Sequence, residues 1–95
     1  MTRRSPMQPA FPLGNIYITR GASDALNHSD VLGVLGRHVQ GDWGDVCEED
    51  KQANDAAVRD GERILSAYVA ESGTRFWVIT EADRSATTVL LPDEY

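Results

Sequence analysis

The chain has 95 residues, 41% hydrophobic and 25% charged, which is typical of one globular domain and unlike a disordered chain. Its single cysteine, Cys47, excludes an internal disulfide and any metal site built from several cysteines. No apolar run of signal-peptide length follows the basic N-terminal residues, and no segment approaches the ~20 apolar residues of a membrane span. We therefore expect a soluble, cytoplasmic protein with no membrane contact, cofactor or metal.

The predicted elements begin after a proline-containing lead-in. Residues 1–13 contain three prolines and no periodic pattern, so they are predicted to be a flexible tail, with residues 14–95 as a single domain. β-Branched and aromatic side chains then predict a short strand over residues 15–20. Ser23 is placed to cap a brief helical turn over residues 24–27.

A helix with a wide apolar stripe is predicted next. Ser29 or Asp30 is placed to cap it, and the glycine-containing segment 41–44 is expected to end it, because glycine readily adopts the left-handed conformation of a helix C-terminus. The width of the stripe predicts that one side of this helix is buried. Its members are Val31, Leu32, Val34, Leu35 and Val39.

A second long helix is predicted to begin at Asp45, whose spacing from Glu48 is that of a capping box. It runs to about Asp60 and ends at Gly61. Acidic residues in its first turn suit the positive end of the helix dipole. Because its inward face consists only of alanines, the helix is expected to pack closely and shallowly. These are Ala53, Ala56 and Ala57.

From residue 62 the pattern changes to that of β-strands. Residues 62–71 and 74–81 flank Ser72-Gly73, which is interpreted as a two-residue hairpin turn, and residues 85–91 form a third strand. The predicted fold class is therefore α+β. An N-terminal strand at a sheet edge and two to three helices precede a three-stranded antiparallel meander, with the helices packed on one face.

A two-residue turn fixes the register of this hairpin. It places Val69 opposite Phe76 and Tyr68 opposite Trp77. Both faces of the sheet are then apolar, and the helices cover only one of them. The face that carries Tyr68, Trp77 and Ile79 is either an interface, including that of a homodimer, or is covered by the N-terminal strand and lead-in.

Charge is unevenly distributed along the chain, whose net charge is −6. Residues 42–60 contain seven acids and two bases, whereas residues 1–20 contain three arginines and no acid. Direct nucleic-acid binding is not expected, since it requires a basic face. The acidic segment is either a solvated helix face or a surface for a protein partner, such as a basic nucleic-acid-binding complex. The candidate partner-binding residues are Asp42, Asp45, Glu48, Glu49, Asp50, Asp55, Tyr68 and Trp77.

A compact polar turn after the second strand of the meander is the candidate catalytic site. In the structural interpretation, Asp83 caps the turn and Arg84 pairs with Glu81 or Glu94. In the catalytic alternative, Glu81 is the general base, His38 the general acid, and Arg84 holds a phosphate. Such a trio resembles that of small metal-independent ribonucleases, which implies a toxin or effector.

Other chemistry receives less support from the sequence. A metal pair of His38 and Asp42 is disfavoured because Gly41 breaks the helical spacing between them. Trp43 is predicted to fill the core rather than to stack on a nucleic-acid base. Cys47 has no basic neighbour in the sequence that would lower the pKa of a nucleophilic thiol.

The chain contains the blocks RHV-x-GDWG, R-x-LS-x-Y and WVITEADRS-x-TT-x-LLP-x-EY at residues 37–44, 63–68 and 77–95. In these blocks it resembles a widespread family of small bacterial proteins encoded on plasmids, integrative elements and phages. The resemblance covers roughly residues 14–95 and implies no established activity, so it assigns no catalytic residue. It implies a mobile genetic element, whose small accessory proteins act in maintenance, regulation and evasion of host defence.

Overall fold

The structure, a computed structural model, describes residues 9–95, in which helices pack on one face of a single β-sheet. The predicted α+β class is thus confirmed. In chain order the elements are β1 (Asn15–Ile18), α1 (Arg20–Ala25), α2 (His28–Val39), α3 (Glu48–Asp60), β2 (Ile64–Val69), β3 (Arg75–Thr80), β4 (Ala86–Leu90) and a 3-10 helix (Pro92–Glu94).

The sheet has four strands in the order β1-β4-β3-β2. The meander β2-β3-β4 is antiparallel, as predicted, and β1 lies at an edge. However, β1 pairs in parallel with β4, so that Asn15 lies opposite Ala86 and Ile18 opposite Val89. The sheet is therefore mixed and four-stranded rather than three-stranded and antiparallel. A parallel pair needs a long connection, which the helices and the β2-β3 hairpin supply here.

The β2-β3 hairpin has a three-residue loop, not the two-residue Ser72-Gly73 turn that the sequence predicts. Ala70 N donates to Thr74 O at 2.9 Å, and Gly73 N donates to Ala70 O at 2.8 Å. Gly73 has a φ of 90°, which is the left-handed conformation that closes a three-residue hairpin with a bulge. Residues 71–73 thus form the loop.

The additional loop residue shifts the register by one. Tyr68 lies opposite Phe76 and Val69 opposite Arg75, whereas the predicted partners were Trp77 and Phe76. Because side chains alternate along a strand, this slip regroups the two faces of the sheet. The helix-side face carries Ile64, Ser66, Tyr68, Phe76, Val78, Thr80, Thr87 and Val89, and the opposite face carries Leu65, Ala67, Val69, Trp77, Ile79, Thr88 and Leu90.

Helix α2 is amphipathic and packs its apolar side on the sheet. Its N-cap is Asn27, whose side chain accepts from Asp30 N at 2.8 Å, so the cap lies two residues before Ser29 and three before Asp30, the two predicted positions. Leu32, predicted as part of the buried stripe, is 58% exposed. The buried residues of α2 are Val31, Val34, Leu35 and His38.

Helix α3 begins at Glu48, with Cys47 at the N-cap position and no side-chain cap. The predicted capping box of Asp45 and Glu48 is therefore not formed, and the Asp45 carboxylate lies 3.8 Å from the Arg75 guanidinium instead. The helix ends at Gly61 as predicted, since this residue has a φ of 71° and its N–H bonds to the last turn.

The inward face of α3 includes a polar residue that the alanine pattern does not reveal. Asn54 is buried together with Ala57, whereas Ala53 is exposed. Asn54 Nδ2 donates to Leu65 O at 2.8 Å, and Leu65 N donates to Asn54 Oδ1 at 3.2 Å. The amide side chain thus satisfies both backbone groups of a β2 residue and fixes α3 to that strand.

Helix α1 is held by the last turn of the chain. Its cap is Thr19 rather than the predicted Ser23. The Glu94 carboxylate accepts hydrogen bonds from Thr19 Oγ1 at 2.5 Å and from Gly21 N at 3.1 Å. It also accepts from Leu91 N at 2.9 Å. The bond from Thr19 is the main cause of a lowered Glu94 pKa, followed by the bond from Leu91 N.

The lead-in is packed from Ala10 onward. Ala10 N donates to Val39 O at 2.7 Å, and the Phe11 side chain is buried in a cluster with Trp43, Ala57 and Ile64. The prediction that residues 1–13 form a flexible tail is therefore incorrect for its last four residues. Residues 1–8 of the predicted tail lie outside the described part of the chain.

The face of the sheet opposite the helices is partly covered by the C-terminal residue. The Tyr95 ring meets the Trp77 ring edge to face at 5.5 Å, and Arg63 Nη1 donates to the Tyr95 hydroxyl at 2.7 Å. Ile79 and Leu90 on this face are also buried. The alternative in which the N-terminal strand folds over this face is not observed, since β1 pairs at the edge of the sheet.

Candidate functional site

A continuous chain of polar side chains crosses the interior between α2 and the sheet. His38 lies with Nδ1 2.6 Å from Ser66 Oγ and Nε2 2.9 Å from Thr80 Oγ1. Thr80 Oγ1 lies 2.7 Å from Thr87 Oγ1, which donates to Leu13 O at 2.8 Å. All four side chains are fully buried. This chain, hereafter the His38 chain, is the main polar feature of the core.

The hydrogen-bond partners determine where each proton of the His38 chain resides. Because Thr87 donates to the Leu13 carbonyl, its oxygen accepts from Thr80, and Thr80 in turn accepts from His38 Nε2–H. Nδ1 of His38 is then unprotonated and accepts from the Ser66 hydroxyl. One neutral tautomer therefore satisfies every group in the chain.

The surroundings of His38 disfavour its charged form. Its ring packs edge to face against Phe11 at 5.3 Å and Trp43 at 5.8 Å. Burial, followed by the positive charge of Arg84, lowers the pKa of His38 from 6.5 to about 4. The predicted placement of Trp43 in the core is thus confirmed, and His38 is a neutral structural group near neutral pH.

Arg84 is bound to backbone, not to the carboxylates predicted as its partners. Its φ of 62° is left-handed, and its guanidinium lies 5.5 Å from the Phe11 ring centre. Nη1 and Nη2 donate to four carbonyl oxygens at 2.7 to 3.2 Å. Arg84 therefore ties the β3-β4 turn to the end of α3. The four acceptors belong to Ala57, Glu62, Glu81 and Ala82.

The structure does not bring the three candidate catalytic residues together. Glu81 follows Thr80 and so points away from the helices, where its carboxylate lies 3.8 Å from the Arg63 guanidinium. His38 is on the helix side with 0% exposure and both ring nitrogens engaged. The Arg84 guanidinium is occupied by carbonyl groups. This geometry holds the turn in place and presents no accessible acid-base pair.

The predicted cap within this turn is confirmed. Asp83 Oδ1 accepts from Ser85 N at 3.0 Å. Hydrogen bonds from Ser85 are the main cause of a lowered pKa of the exposed Asp83 carboxyl. The structural interpretation of the turn, in which an aspartate closes it through a nearby backbone amide, therefore accounts for the local geometry.

Two of the candidate partner-binding acids are already paired with arginine. Asp42 accepts from Arg37 Nε at 2.7 Å and Nη2 at 3.2 Å, and the hydrogen bond from Arg37 lowers the pKa of Asp42. Asp45 lies 3.8 Å from Arg75. Both pairs are solvent-exposed and thus contribute about 0 to 1 kcal/mol each.

The remaining candidate acids lie on α3. Asp55 accepts from Trp43 Nε1 at 2.9 Å and so helps to hold the indole in the core. Glu48, Glu49 and Asp50 form the first turn of the helix and are exposed. Among residues 9–95, none of these three forms an ion pair within 4.0 Å. We call these three residues the acidic turn.

The two candidate aromatic anchors lie on opposite faces of the sheet. Tyr68 is 2% exposed, donates its hydroxyl proton to Asp42 O at 2.6 Å and lies under the Arg37 guanidinium. Burial raises its pKa to about 12. Tyr68 is therefore a core residue and not an accessible anchor. Trp77 is half-buried on the opposite face of the sheet.

The surface beside the acidic turn offers little room for a small molecule. A depression of about 210 Å³ is lined by Asp50, Ala53, Asn54, Arg63 and Leu65, which is smaller than the ~300–1,000 Å³ of typical ligand pockets. Residues 9–95 contain no group of three or more histidine, cysteine or acidic residues that could hold a metal ion. Cys47 is exposed. None of the described helices has the length and apolarity to cross a membrane.

The chain is thus a two-layer α+β protein with a buried polar chain inside a mainly apolar core and an exposed acidic turn. Comparison with protein-family models, curated proteins and solved structures gave no match to it.

Sequence reasoning missed the partners of His38 and the role of Asn54. Ser66 and Thr80 are inward-facing polar residues on two neighbouring strands. The sequence shows that Ser66 and Thr80 alternate with apolar residues along their strands. The one-residue error in the predicted register, however, placed these two residues on different faces of the sheet. Asn54 lies on the inward face of α3 one turn before Ala57, and a polar residue at such a position indicates a buried hydrogen bond.

Proposed function

We propose that this protein acts by stoichiometric binding to a basic protein partner, and that the acidic turn is the centre of the binding surface. The observation that carries the proposal is the set of three exposed, adjacent carboxylates that form no ion pair within 4.0 Å among residues 9–95. The buried side-chain polar atoms of residues 9–95, in contrast, all have hydrogen-bond partners within the protein.

The placement of the acidic turn suits recognition by charge. Three carboxylates at one helix end repel one another, and the positive end of the helix dipole offsets only part of this repulsion. Lysine and arginine side chains of a partner would relieve the remainder and would steer the partner to this surface. Glu62 and Asp60 lie exposed at the other end of the helix and extend the negative field.

The partner class follows from the same charge. Proteins that handle nucleic acid carry basic grooves for phosphate, and a small acidic domain with net charge −6 is suited to occupy such a groove. The resemblance to proteins of plasmids, integrative elements and phages favours a cytoplasmic defence complex of the host as the target. We therefore propose an accessory protein of a mobile genetic element with an anti-CRISPR or anti-restriction role.

The test compares two variants that differ only in where charge is removed. The first neutralises the acidic turn by Glu48→Gln, Glu49→Gln and Asp50→Asn. The control neutralises three exposed carboxylates on other elements by Asp24→Asn, Glu71→Gln and Asp93→Asn. Both change the net charge from −6 to −3. Each tagged protein is incubated with bacterial lysate and eluted in steps of rising salt, and the eluted proteins are identified by mass spectrometry.

We expect wild type and control to retain the same basic, nucleic-acid-handling protein and to release it at moderate salt. The acidic-turn variant should release it at lower salt, with affinity roughly tenfold weaker, since close interfacial charge pairs contribute about 1.5 kcal/mol or more. Equal retention by the two variants, or retention that does not weaken as salt rises, contradicts the acidic turn as the binding surface.

A further inference from the structure

The edge strand β1 exposes apolar side chains on both of its faces. Ile16, Tyr17 and Ile18 are 47%, 54% and 43% exposed, although the strand is fully paired with β4 on one side. From the pairing with β4, Ile16 and Ile18 lie on the helix side and Tyr17 on the opposite side. The strand contains no charged residue and no proline, the two features that most often protect a sheet edge from association.

The backbone of β1 also offers free hydrogen-bonding groups. Asn15 N donates to Ser85 O and Thr19 N to Val89 O, each at 3.0 Å. In a parallel pair these groups alternate, so the N–H and C=O groups of Ile16 and Ile18 point away from β4. No described residue pairs with this outer edge.

We propose that the outer edge of β1 binds the same edge of a second copy of this chain, which gives a two-fold symmetric dimer with one continuous eight-stranded sheet. The edge is self-complementary in antiparallel orientation. When Tyr17 is centred on the symmetry axis, Ile16 of each copy lies opposite Ile18 of the other. Each of these two pairs exchanges both N–H···O=C bonds, which uses every outward-pointing group of the strand.

The order Ile16-Tyr17-Ile18, which is the same read in either direction, favours a second copy as the occupant, and the distribution of charge restricts how two copies can approach. Helix α3 packs on β2, which is the other edge of the sheet, three interstrand spacings or ~14 Å from β1. Two chains with a net charge of −6 each repel one another in most orientations. Pairing through β1 joins two strands that contain no charged residue and places the acidic turns, which lie on the helix beside β2, away from the interface. This inference does not depend on the function of the acidic turn.

Disulfide trapping tests both the dimer and its register. In a Cys47→Ser background, which removes the only native thiol, Tyr17→Cys places two thiols across the symmetry axis. Non-hydrogen-bonded antiparallel partners have Cα atoms about 4.5 Å apart, which a disulfide can span. Asn15→Cys is the matched control on the same face. The Cα atoms of residue 15 in the two copies would be roughly 14 Å apart, beyond the ~7 Å limit for a disulfide.

A second experiment measures association without new cysteines. Sedimentation equilibrium of the full chain is expected to show a mass that rises with concentration from 10.5 kDa towards twice that value. Ile16→Lys should raise the dissociation constant roughly tenfold or more, since it places a charge in both symmetric contacts. Leu32→Lys, which changes a more exposed apolar residue of α2, should leave the constant within about twofold.

Either experiment can overturn the proposal. A 10.5 kDa mass at every concentration excludes the dimer, and equal weakening by the two lysine variants places the contact elsewhere. Oxidation that links Asn15→Cys as readily as Tyr17→Cys excludes the symmetric register. A variant that lacks residues 2–8 completes the test. If it dimerises and the full chain does not, a segment of the same chain occupies the edge and the proposal fails.

Discussion

Acidification from pH 7.5 to 5 should destabilise the protein by about 2 kcal/mol through His38 alone. The pKa of His38 is about 4 in the folded protein, against 6.5 for an ordinary histidine. The unfolded chain therefore binds the proton more tightly. At pH 5 the proton-binding polynomial of His38 is 1 + 10^1.5 in the unfolded chain and 1 + 10^−1 in the folded protein. Their ratio is about 30, so proton binding lowers the unfolding free energy by RT ln 30, which is about 2 kcal/mol. At pH 7.5 the same expression gives less than about 0.1 kcal/mol.

The sign follows from the direction of the shift. Because the pKa of His38 is lowered by folding, its contribution is fully present above pH 6.5 and is lost as the pH falls towards 4. The carboxyl groups whose pKa is lowered by folding lose their contributions below their ordinary values of 3.8 and 4.5. The interval from pH 7.5 to 5 therefore isolates the histidine.

Urea unfolding at half-unit steps of pH measures this dependence directly. His38→Gln removes the titrating ring, so its unfolding free energy should change by only a few tenths of a kcal/mol over the same interval. His28→Gln is the control, because His28 is the only other histidine and is exposed on α2; this variant should follow wild type. Nitrogen-15 NMR of the wild type is expected to show His38 neutral at pH 5 and protonated on Nε2.

Two results would refute the reasoning. The first is a His38 imidazole that titrates near pH 6.5 in the folded protein, since the ring would then be accessible to water and free of the His38 chain. The second is a stability profile of His38→Gln as steep as that of wild type between pH 7.5 and 5, which would assign the dependence to other groups.

Two further predictions concern backbone contacts. Arg84→Lys should lower the unfolding free energy by roughly 2–4 kcal/mol, because an ammonium group cannot replace a guanidinium that bonds four carbonyls. Arg59 is exposed, so the control Arg59→Lys should lower it by less than about 0.5 kcal/mol. Gly44→Ala should cost roughly 3 kcal/mol or more, because its Cβ would overlap the Ala67 carbonyl at a φ of 76°. Gly61→Ala, with a φ of 71° and open space around it, should cost only about 1–2 kcal/mol. Urea unfolding at pH 7.5 measures all four, and equal effects within either pair would contradict the assigned contacts.

The fold class and most of the elements could be predicted because they depend on periodicity. Helix α2, the end of α3 at Gly61 and the meander each follow from local patterns of apolar residues, glycine and β-branched residues. The parallel pairing of β1 with β4 could not be predicted, since Asn15 and Ala86 lie opposite one another only after the intervening chain has packed. A local pattern contains no information about such a partner.

The register of the hairpin shows how one residue decides a candidate site. Ser72-Gly73 fits a two-residue turn, but Gly73 also fits the last position of a three-residue loop, and the sequence alone does not separate them. The three-residue loop is adopted because it directs the side chains of both Tyr68 and Phe76 towards the helices. Tyr68 then belongs to the core, and Ser66 reaches His38. The predicted sheet face of Tyr68, Trp77 and Ile79 rested on the other register and therefore could not contain these contacts.

The pairing of β1 with β4 has a consequence for folding during synthesis. The bonds from Thr19 to Glu94 and from Thr87 to Leu13 join residues separated by 75 and 74 positions. At a translation rate of roughly 5–20 residues per second, several seconds pass between the synthesis of β1 and that of its partner strand β4. During this interval the segment Asn15–Ile18 is an unpaired apolar strand, available to chaperones and to other nascent copies. Slowing of translation over residues 20–85 would therefore lower the yield of folded protein without any change in its amino-acid sequence.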